Sequence, residues 1–262
     1  MNSRLLAGAG LALRVLPPRW KAAAAGCSEQ EYEGLMSSIQ RFRGGIYRAD
    51  GAIPAHALDP WGRHFTAFDF KNYHILMQGP CGEIAACFRL CAHSRGTRAP
   101  GLRIHEVLTR MPPSLAQNYH QAIEACISQS YAEGLSIGEV GGWAVSPAHR
   151  HSRTTMMLPF VAWSLFQIIG NATAFAFATN RHASARLLRR IGYAVQHQGS
   201  PLPRHHDPYY GCSMELLAFN SRQPTPAYQG LVEDLRAHLL HTQPWLTDPI
   251  WHDSPALLER AA

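Results

Sequence analysis

The feature that most constrains the fold is a strand, a basic turn and an apolar helix that follow one another over residues 139–169. The strand contains the pair Gly141 and Gly142, which predicts a β-bulge or a close approach of another group to the backbone. Arg150 and Arg153 lie in the turn. Because free N–H groups and the dipole at a helix N-terminus bind anions, the segment predicts a site for a pyrophosphate or a phosphopantetheine arm.

The remaining sequence alternates between helical and strand patterns. Helical spacing of apolar residues occurs in 31–43, 113–133, 182–191 and 225–241, and β-forming runs occupy 73–78, 83–91, 137–145, 173–179 and 213–219. We expect Gly44 and Gly45 to end the first helix. This order predicts one mixed α/β domain over residues 29–221, with an arm or helix at 1–28 and a C-terminal helix and tail at 222–262.

Composition excludes several classes of protein. Apolar residues make up 46% of the chain and charged residues 16%, which excludes general disorder. Every apolar run is too short or too interrupted to predict a membrane-spanning helix. The six cysteines form no C-x-x-C pair, which argues against a disulfide scaffold or a zinc ribbon. Together with the absence of a convincing secretory signal, this predicts a cytoplasmic protein.

The net charge of +6 suits an anionic partner, such as a phosphate-bearing cofactor or an acidic carrier protein. The basic residues are too dispersed to favour nucleic acid, so we expect none as a partner. Residues 1–28 carry four basic side chains and no acidic one. This segment can contact a membrane surface or act as a targeting segment, and the alternative is an ordinary helix or a loose arm.

The fifteen histidines do not form a metal-binding pattern. His149 and His151 are two residues apart, and His205 and His206 are adjacent, whereas a helical metal pair needs four-residue spacing. We therefore expect no metal. Cys87 and Cys91 fit buried small apolar positions on a strand.

Two segments, in this order, resemble the GNAT-type acyltransferases. The first is the strand, turn and helix at 139–169, and the second is a strand that ends at Asn180 before a helix closed by Gly192 and Tyr193. The resemblance implies a single GNAT-like α/β domain whose mixed central sheet is flanked by helices. The usual tyrosine acid of that family falls on Leu188, so it is not carried over.

The N-terminal half resembles one branch of that superfamily, the acyl-homoserine-lactone synthases and long-chain N-acyl amino acid synthases. Those enzymes have an arginine with an aromatic residue four positions on, then an aspartate, an Arg-Leu pair and a glutamate in the central strand. The matching residues here are Arg43, Tyr47, Asp69, Arg89 and Glu139. The resemblance implies that the first four bind the acceptor.

Glu139 is our candidate for the catalytic residue, because an amine attacks a thioester only after it has lost a proton to a base. The alternative is a structural ion pair with an arginine. Asp69 can bind an acceptor ammonium, or it can serve as a loop or cap residue. Arg43 and Arg89 can hold an acceptor carboxylate, or they can form a structural network with an aspartate.

The donor is expected along the glycine-containing strand and the turn. The residues assigned to it are Gly141, Gly142, Trp143, Val145, Arg150, Arg153, Thr154 and Asn180. The alternative for the two arginines is a solvated basic turn. Apolar residues of the following helix, among them Met156, Phe160 and Trp163, can line an acyl tunnel or simply form core.

The sequence therefore predicts an N-acyltransferase with no tightly bound cofactor. It would move a long acyl chain from acyl carrier protein or acyl-CoA to the amine of an amino-acid-like acceptor. The product would be an N-acyl amino acid or an N-acyl homoserine lactone. The first alternative is a short-chain acetyl-CoA-dependent N-acetyltransferase. The second is a catalytically silent GNAT-like binding module, which the replacement of the family's turn glycines by Arg153 and Thr155 favours.

Overall fold

The computed structural model describes residues 10–150, 152–153, 155–197 and 199–247. The strands are β1 (Ala12–Leu16), β2 (Tyr73–Gln78), β3 (Ile84–Ala92), β4 (Ser136–Val145), β5 (Ala172–Thr179), β6 (Gln196–His197), β7 (Ser200–Pro201), β8 (His205–Asp207) and β9 (Cys212–Asn220). The α-helices are α1 (Glu29–Ala49), α2 (His105–Leu108), α3 (Pro113–Ala132), α4 (Leu158–Ile169), α5 (Ser184–Arg190) and α6 (Gln229–Thr242).

Seven of these strands form one sheet in the order β1-β2-β3-β4-β5-β9-β8, and β6 and β7 form a separate short hairpin. Every neighbouring pair in the large sheet is antiparallel except β4 and β5, which are parallel. The connection between these two strands is the basic turn and α4, as a parallel crossover requires. The mixed sheet flanked by helices agrees with the predicted fold class.

The parallel pair β4 and β5 separates part of the way along its length. Paired residues run only from Ser136 with Ala172 to Glu139 with Phe175, although β4 continues to Val145. The remainder of β4 has no β5 partner, and the two strands enclose a space between their C-terminal ends. The site described below lies in this space.

Helices cover both faces of the sheet. Side chains of β5 alternate between two core clusters, because successive residues of a strand point to opposite faces. Ala174 and Ala176 pack in a cluster with α4, α5 and α6, whereas Phe175 packs in a second cluster with α3. A third cluster joins α1 to β1, β2 and β3. The apolar sequence of α4 is explained by this packing, because its Trp163 and Phe166 are fully buried.

Helix α1 differs from its prediction at both ends. Ser28 caps its N-terminus in a reciprocal capping box with Glu31, so the helix begins earlier than predicted. The prediction that Gly44 and Gly45 end it is wrong, since the helix runs on to Ala49. Gly44 serves close packing instead: a Cβ atom there would lie 2.9 Å from the backbone nitrogen of His64.

Residues 12–16 form a strand within the segment predicted as an arm or helix. The burial pattern explains this: Leu13 and Val15 are buried against the sheet, while Ala12 and Arg14 are exposed. Residues 1–9 lie outside the described part, so the expected membrane contact of this segment stays a prediction. No helix in the described residues is long and apolar enough to cross a membrane.

Candidate active site

A cavity of about 1050 Å³ opens where β4 and β5 separate. Its walls come from the C-terminal halves of β4 and β5, from α1, from the segment that leads into α2, and from α5. The lining includes the predicted site residues Arg43, Tyr47, Arg89, Glu139, Gly141, Gly142, Trp143, Val145 and Arg150. The fold thus brings most of the predicted acceptor and donor residues to one place, although they are spread over more than a hundred positions of the chain.

The glycines of β4 shape the wall of this cavity. Between the pair Cys87–Ala144 and the pair Arg89–Gly141 the register shifts by one residue, which is the bulge that the two glycines predict. Gly142 has φ +62°, a left-handed conformation that favours glycine. A Cβ atom at Gly141 would meet no atom within 4 Å, so this position faces open space.

Glu139 lies at the last paired position before the strands separate, and its carboxylate is buried. Its Oε1 accepts the backbone N–H of Ile104 at 2.7 Å. Its Oε2 accepts the N–H of Arg103 at 2.9 Å and contacts His93 Nε2 at 2.7 Å. The partner is therefore a histidine and two backbone amides, not the arginine that the structural alternative supposed. Glu139 fixes the segment leading into α2 at the edge of the cavity.

His93 is a site residue that our sequence analysis missed. Burial alone would lower the pKa of its imidazole, but the nearby Cys91 sulfur and the Glu139 carboxylate outweigh this and raise it to about 10. The sequence did contain a signal, because Arg89, Cys91 and His93 alternate along the strand and its continuation and so share a face.

Cys91, His93 and Glu139 place possible metal-ligand atoms within 4.8 Å of one another. The 2.7 Å contact between His93 Nε2 and Glu139 Oε2 is a hydrogen bond. It is shorter than the roughly 3.3 Å that separates two such ligands on one tetrahedral ion. We therefore interpret the cluster as a proton-sharing group, and the expected absence of a metal stays a prediction.

Asp69 is fully buried and does not line the cavity. Its carboxylate accepts hydrogen bonds from both terminal nitrogens of Arg43, at 2.7 and 3.1 Å, and from Arg89 at 2.9 Å. Gln40 and the backbone of Thr66 complete its partners. This is the structural network considered as the alternative, and it leaves Asp69 no free oxygen to hold an acceptor ammonium.

The same network changes the ionisation of its members. Burial opposes the charge on Asp69, but Arg43 more than compensates and holds the pKa of that carboxyl below its ordinary value. Burial, reinforced by repulsion from Arg43, lowers the pKa of His64 to about 4. Burial raises the pKa of the Tyr47 phenol, and the charge of Arg43 partly offsets the rise. Tyr47 and His64 therefore stay neutral near pH 7.

The predicted donor residues divide into three groups. Gly141, Gly142, Trp143, Val145 and Arg150 line the cavity, and Arg150 also forms an ion pair with Asp50 of the α1 C-terminus at 2.7 Å. Asn180 donates to the Ser213 carbonyl at 3.3 Å and is not part of the lining. Arg153 is exposed outside it, and Thr154 lies outside the described residues.

The residues of the apolar helix that were considered for an acyl tunnel occupy two different places. Phe160 and Trp163 are buried in the core, as the alternative interpretation held, whereas Met156 lines the cavity. Most of the apolar lining comes from elsewhere. It is supplied by Phe88, Val140, Ala176, Ala178, Leu187, Leu188 and Met214.

No family model matches the sequence, and no curated protein matches it. Solved structures do match its fold. One is the CoA-dependent acyl-homoserine lactone synthase BjaI with SAM and isopentyl-CoA, at 15% identity and a TM-score of 0.53, covering 96% of this chain and 99% of that one. A second is the CoA-dependent acyl-homoserine lactone synthase MesI, at 14% identity and a TM-score of 0.50, covering 93% and 100%.

The chain is also similar, more weakly, to FeeM, an N-acyl amino acid synthase from uncultured soil microbes. The identity is 11% and the TM-score 0.46, over 81% of this chain and 91% of that one. At such identities a match reports the fold, and it does so here over nearly the whole length of BjaI and MesI. The chain has the GNAT-like fold of the acyl-homoserine lactone synthases.

Proposed function

We propose that the protein is an N-acyltransferase that moves an acyl chain from a thioester to the amine of an amino-acid-like acceptor. The observation that carries this proposal is the position of Glu139 and His93 at the point where β4 and β5 separate, inside a cavity large enough for two substrates. The similarity in fold to acyl-homoserine lactone synthases supports the same class of reaction.

The Glu139–His93 pair supplies the proton acceptor in this proposal. An acceptor amine arrives as an ammonium ion and must lose a proton before its nitrogen can attack the thioester carbonyl. The Glu139 carboxylate takes that proton, directly or through one water, from an amine bound beside it. His93, whose raised pKa keeps it protonated near pH 7, holds this carboxylate in place. The nitrogen then forms the amide bond as the carbon–sulfur bond breaks. Its second proton passes to the departing sulfur, so that the pantetheine arm leaves as a free thiol.

The donor arm fits the unpaired part of β4. The amide groups of a pantetheine arm can hydrogen-bond to the strand edge that β5 leaves free beyond Glu139. The apolar lining between β4, β5 and α5 gives an acyl chain a dry path. This supports a long chain in preference to an acetyl group.

The proposal allows two acyl donors, acyl-CoA and acylated acyl carrier protein. The BjaI and MesI structures are those of CoA-dependent enzymes, which supports acyl-CoA. Exposed arginines on α5 and in the basic turn, Arg186, Arg190 and Arg153, suit an acidic carrier protein. A comparison of acyl-CoA with acyl carrier protein as donor, at matched chain length, decides between them.

The experiment that tests the function supplies the purified protein with acyl-CoA donors from acetyl to palmitoyl and with a mixture of amino acids. Release of the free CoA thiol and the masses of new products are followed together. We expect long-chain N-acyl amino acids. Glu139→Gln should lower turnover by roughly 100- to 10,000-fold, the usual contribution of a general base.

The matched control is Glu233→Gln on α6, whose carboxylate is exposed and accepts a hydrogen bond from Gln229. It should retain full turnover. Products from acetyl-CoA alone would favour the short-chain N-acetyltransferase. Donor binding without thiol release, for any donor and acceptor, would contradict the proposal and favour a silent binding module.

A further inference from the structure

The side chain of Arg103 is a cation in the cavity wall for which the described structure provides no anionic partner. Its guanidinium forms no hydrogen bond or ion pair among the described residues, and its Nη1 atom is buried without a partner. The guanidinium carbon lies 5.8 Å from the ring centroid of Phe68, which holds it by a cation–π contact. A buried charged donor atom without an acceptor is costly unless a ligand supplies one.

The other arginines that line the cavity all bond to oxygen atoms of the protein. Arg43 and Arg89 bind Asp69, Arg110 binds Asp207, Arg150 binds Asp50, and Arg181 binds the backbone carbonyls of Asp50 and Tyr210. These partners occupy the residues that the sequence suggested as a carboxylate site, Arg43 and Arg89. Among the described cavity arginines, only Arg103 has a guanidinium that bonds to no oxygen atom of the protein, so its donors are left for a ligand.

The main chain holds Arg103 beside the reacting groups. Its N–H donates to Glu139 Oε2 at 2.9 Å, and the next N–H, of Ile104, donates to Oε1 at 2.7 Å. The carboxylate that we propose as part of the proton acceptor therefore also fixes the start of the Arg103 side chain. A molecule whose amine approaches Glu139 can extend an anionic group towards this guanidinium.

We propose that Arg103 binds the carboxylate of the acceptor, so that the acceptor is an amino acid or an amino-acid derivative with a free carboxylate. This inference rests on the proposed N-acyltransferase function. A planar guanidinium matches a carboxylate in a two-point contact, and the ammonium next to that carboxylate is then placed near Glu139. The phosphates of a donor are the other possible anion, and the test separates the two.

The test compares each L-amino acid with its carboxamide, as acceptor and as ligand in thermal denaturation. The variants are Arg103→Met and, as a control, Arg41→Met, an exposed arginine of α1 whose side chain bonds to Ser37. We expect the unmodified protein to prefer a free acid over its amide by roughly 10- to 100-fold in kcat/KM, as loss of a charged pair predicts. Arg103→Met should remove that preference with little change towards the amide.

The same acids should raise the Tm of the unmodified protein and of Arg41→Met, and leave that of Arg103→Met unchanged. Equal kcat/KM for acid and amide, or a Tm shift that survives in Arg103→Met, would overturn the inference while the acyltransfer function stands. A raised KM for acyl-CoA in Arg103→Met would overturn it in favour of a phosphate contact. If no acceptor is turned over but the acids still raise the Tm in an Arg103-dependent way, the proposed acyltransfer is rejected and the proposed carboxylate site is kept.

Discussion

At the scale of single residues, the Asp69 carboxylate is the centre of a buried network of charges. It joins two arginines, one of them completely buried, and it accepts five hydrogen bonds. Removing the charge leaves both guanidinium groups without a counter-ion in a poorly solvated region. We expect Asp69→Asn to lower the free energy of unfolding by about 3–5 kcal/mol, the usual cost of breaking a buried pair.

Chemical denaturation of Asp69→Asn measures this loss. The control is Asp59→Asn, whose carboxylate binds the neighbouring Arg63 on a partly exposed loop. Its substitution should lower the free energy of unfolding far less, because water screens an exposed pair. Equal losses for the two variants would show that the buried network contributes no more than an exposed pair.

His93 predicts a pH dependence of stability. Its pKa rises from an ordinary value near 6.5 to about 10 on folding, so the folded state holds the proton more tightly than the unfolded chain. The contribution is fully present below pH 6.5 and is lost as the pH rises through 10. The difference in unfolding free energy between the unmodified protein and His93→Gln should therefore shrink between pH 6.5 and 10. The control is His56→Gln, a substitution of an exposed histidine, measured over the same range.

At the scale of elements, two glycines of β4 have different roles. Gly138 allows close packing against α4, and Gly141 lines the cavity. A Cβ atom at Gly138 would lie 2.3 Å from the Phe166 ring of α4, whereas one at Gly141 would meet nothing within 4 Å. We expect Gly138→Ala to lower the unfolding free energy by about 1–3 kcal/mol through overpacking. Gly141→Ala should fold with little loss of stability and raise the KM of the donor, because its methyl group enters the cavity.

Thermal denaturation and donor kinetics on the two variants measure these effects. Loss of stability in Gly141→Ala equal to that in Gly138→Ala would contradict the assignment of Gly141 to the cavity. An unchanged KM for the donor would indicate that the donor does not bind at this part of β4.

Most elements could be predicted from the sequence because their patterns are local. The β-forming run of β2 and the apolar run of α4 need no knowledge of the remainder of the chain. The C-terminal end of α1 could not be predicted from the sequence. A glycine pair usually signals the end of a helix, but Gly44 allows close contact with the loop that contains His64. Within the site, Glu139 follows from its strand context. Arg103 has no such signal, because only the folded chain reveals that it lacks a partner.

At the scale of the whole molecule, one cavity is lined by Glu139, by Arg103 and by the edge of β4 that β5 leaves unpaired. Under the proposed function, donor and acceptor are bound in this cavity at the same time, and the amine attacks the thioester directly. Direct attack predicts sequential kinetics, in which double-reciprocal plots at several acceptor concentrations intersect. It also predicts that Cys91, although it lines the cavity beside His93, forms no bond to the acyl chain.

Cys91→Ser is the variant that decides between direct and two-step transfer. Under direct transfer it should keep kcat within about threefold of the unmodified protein, as should Cys126→Ser, whose thiol lies in the α3 cluster. A thioester on Cys91 would instead give parallel plots, an acylated protein in intact-mass spectra and loss of turnover in Cys91→Ser. Because Cys91 and His93 are neighbours of Glu139, that outcome would change the role of the pair from accepting the proton of the amine to activating the thiol. The shape of the cavity favours the first role, since the separated strands leave room for both substrates at one base.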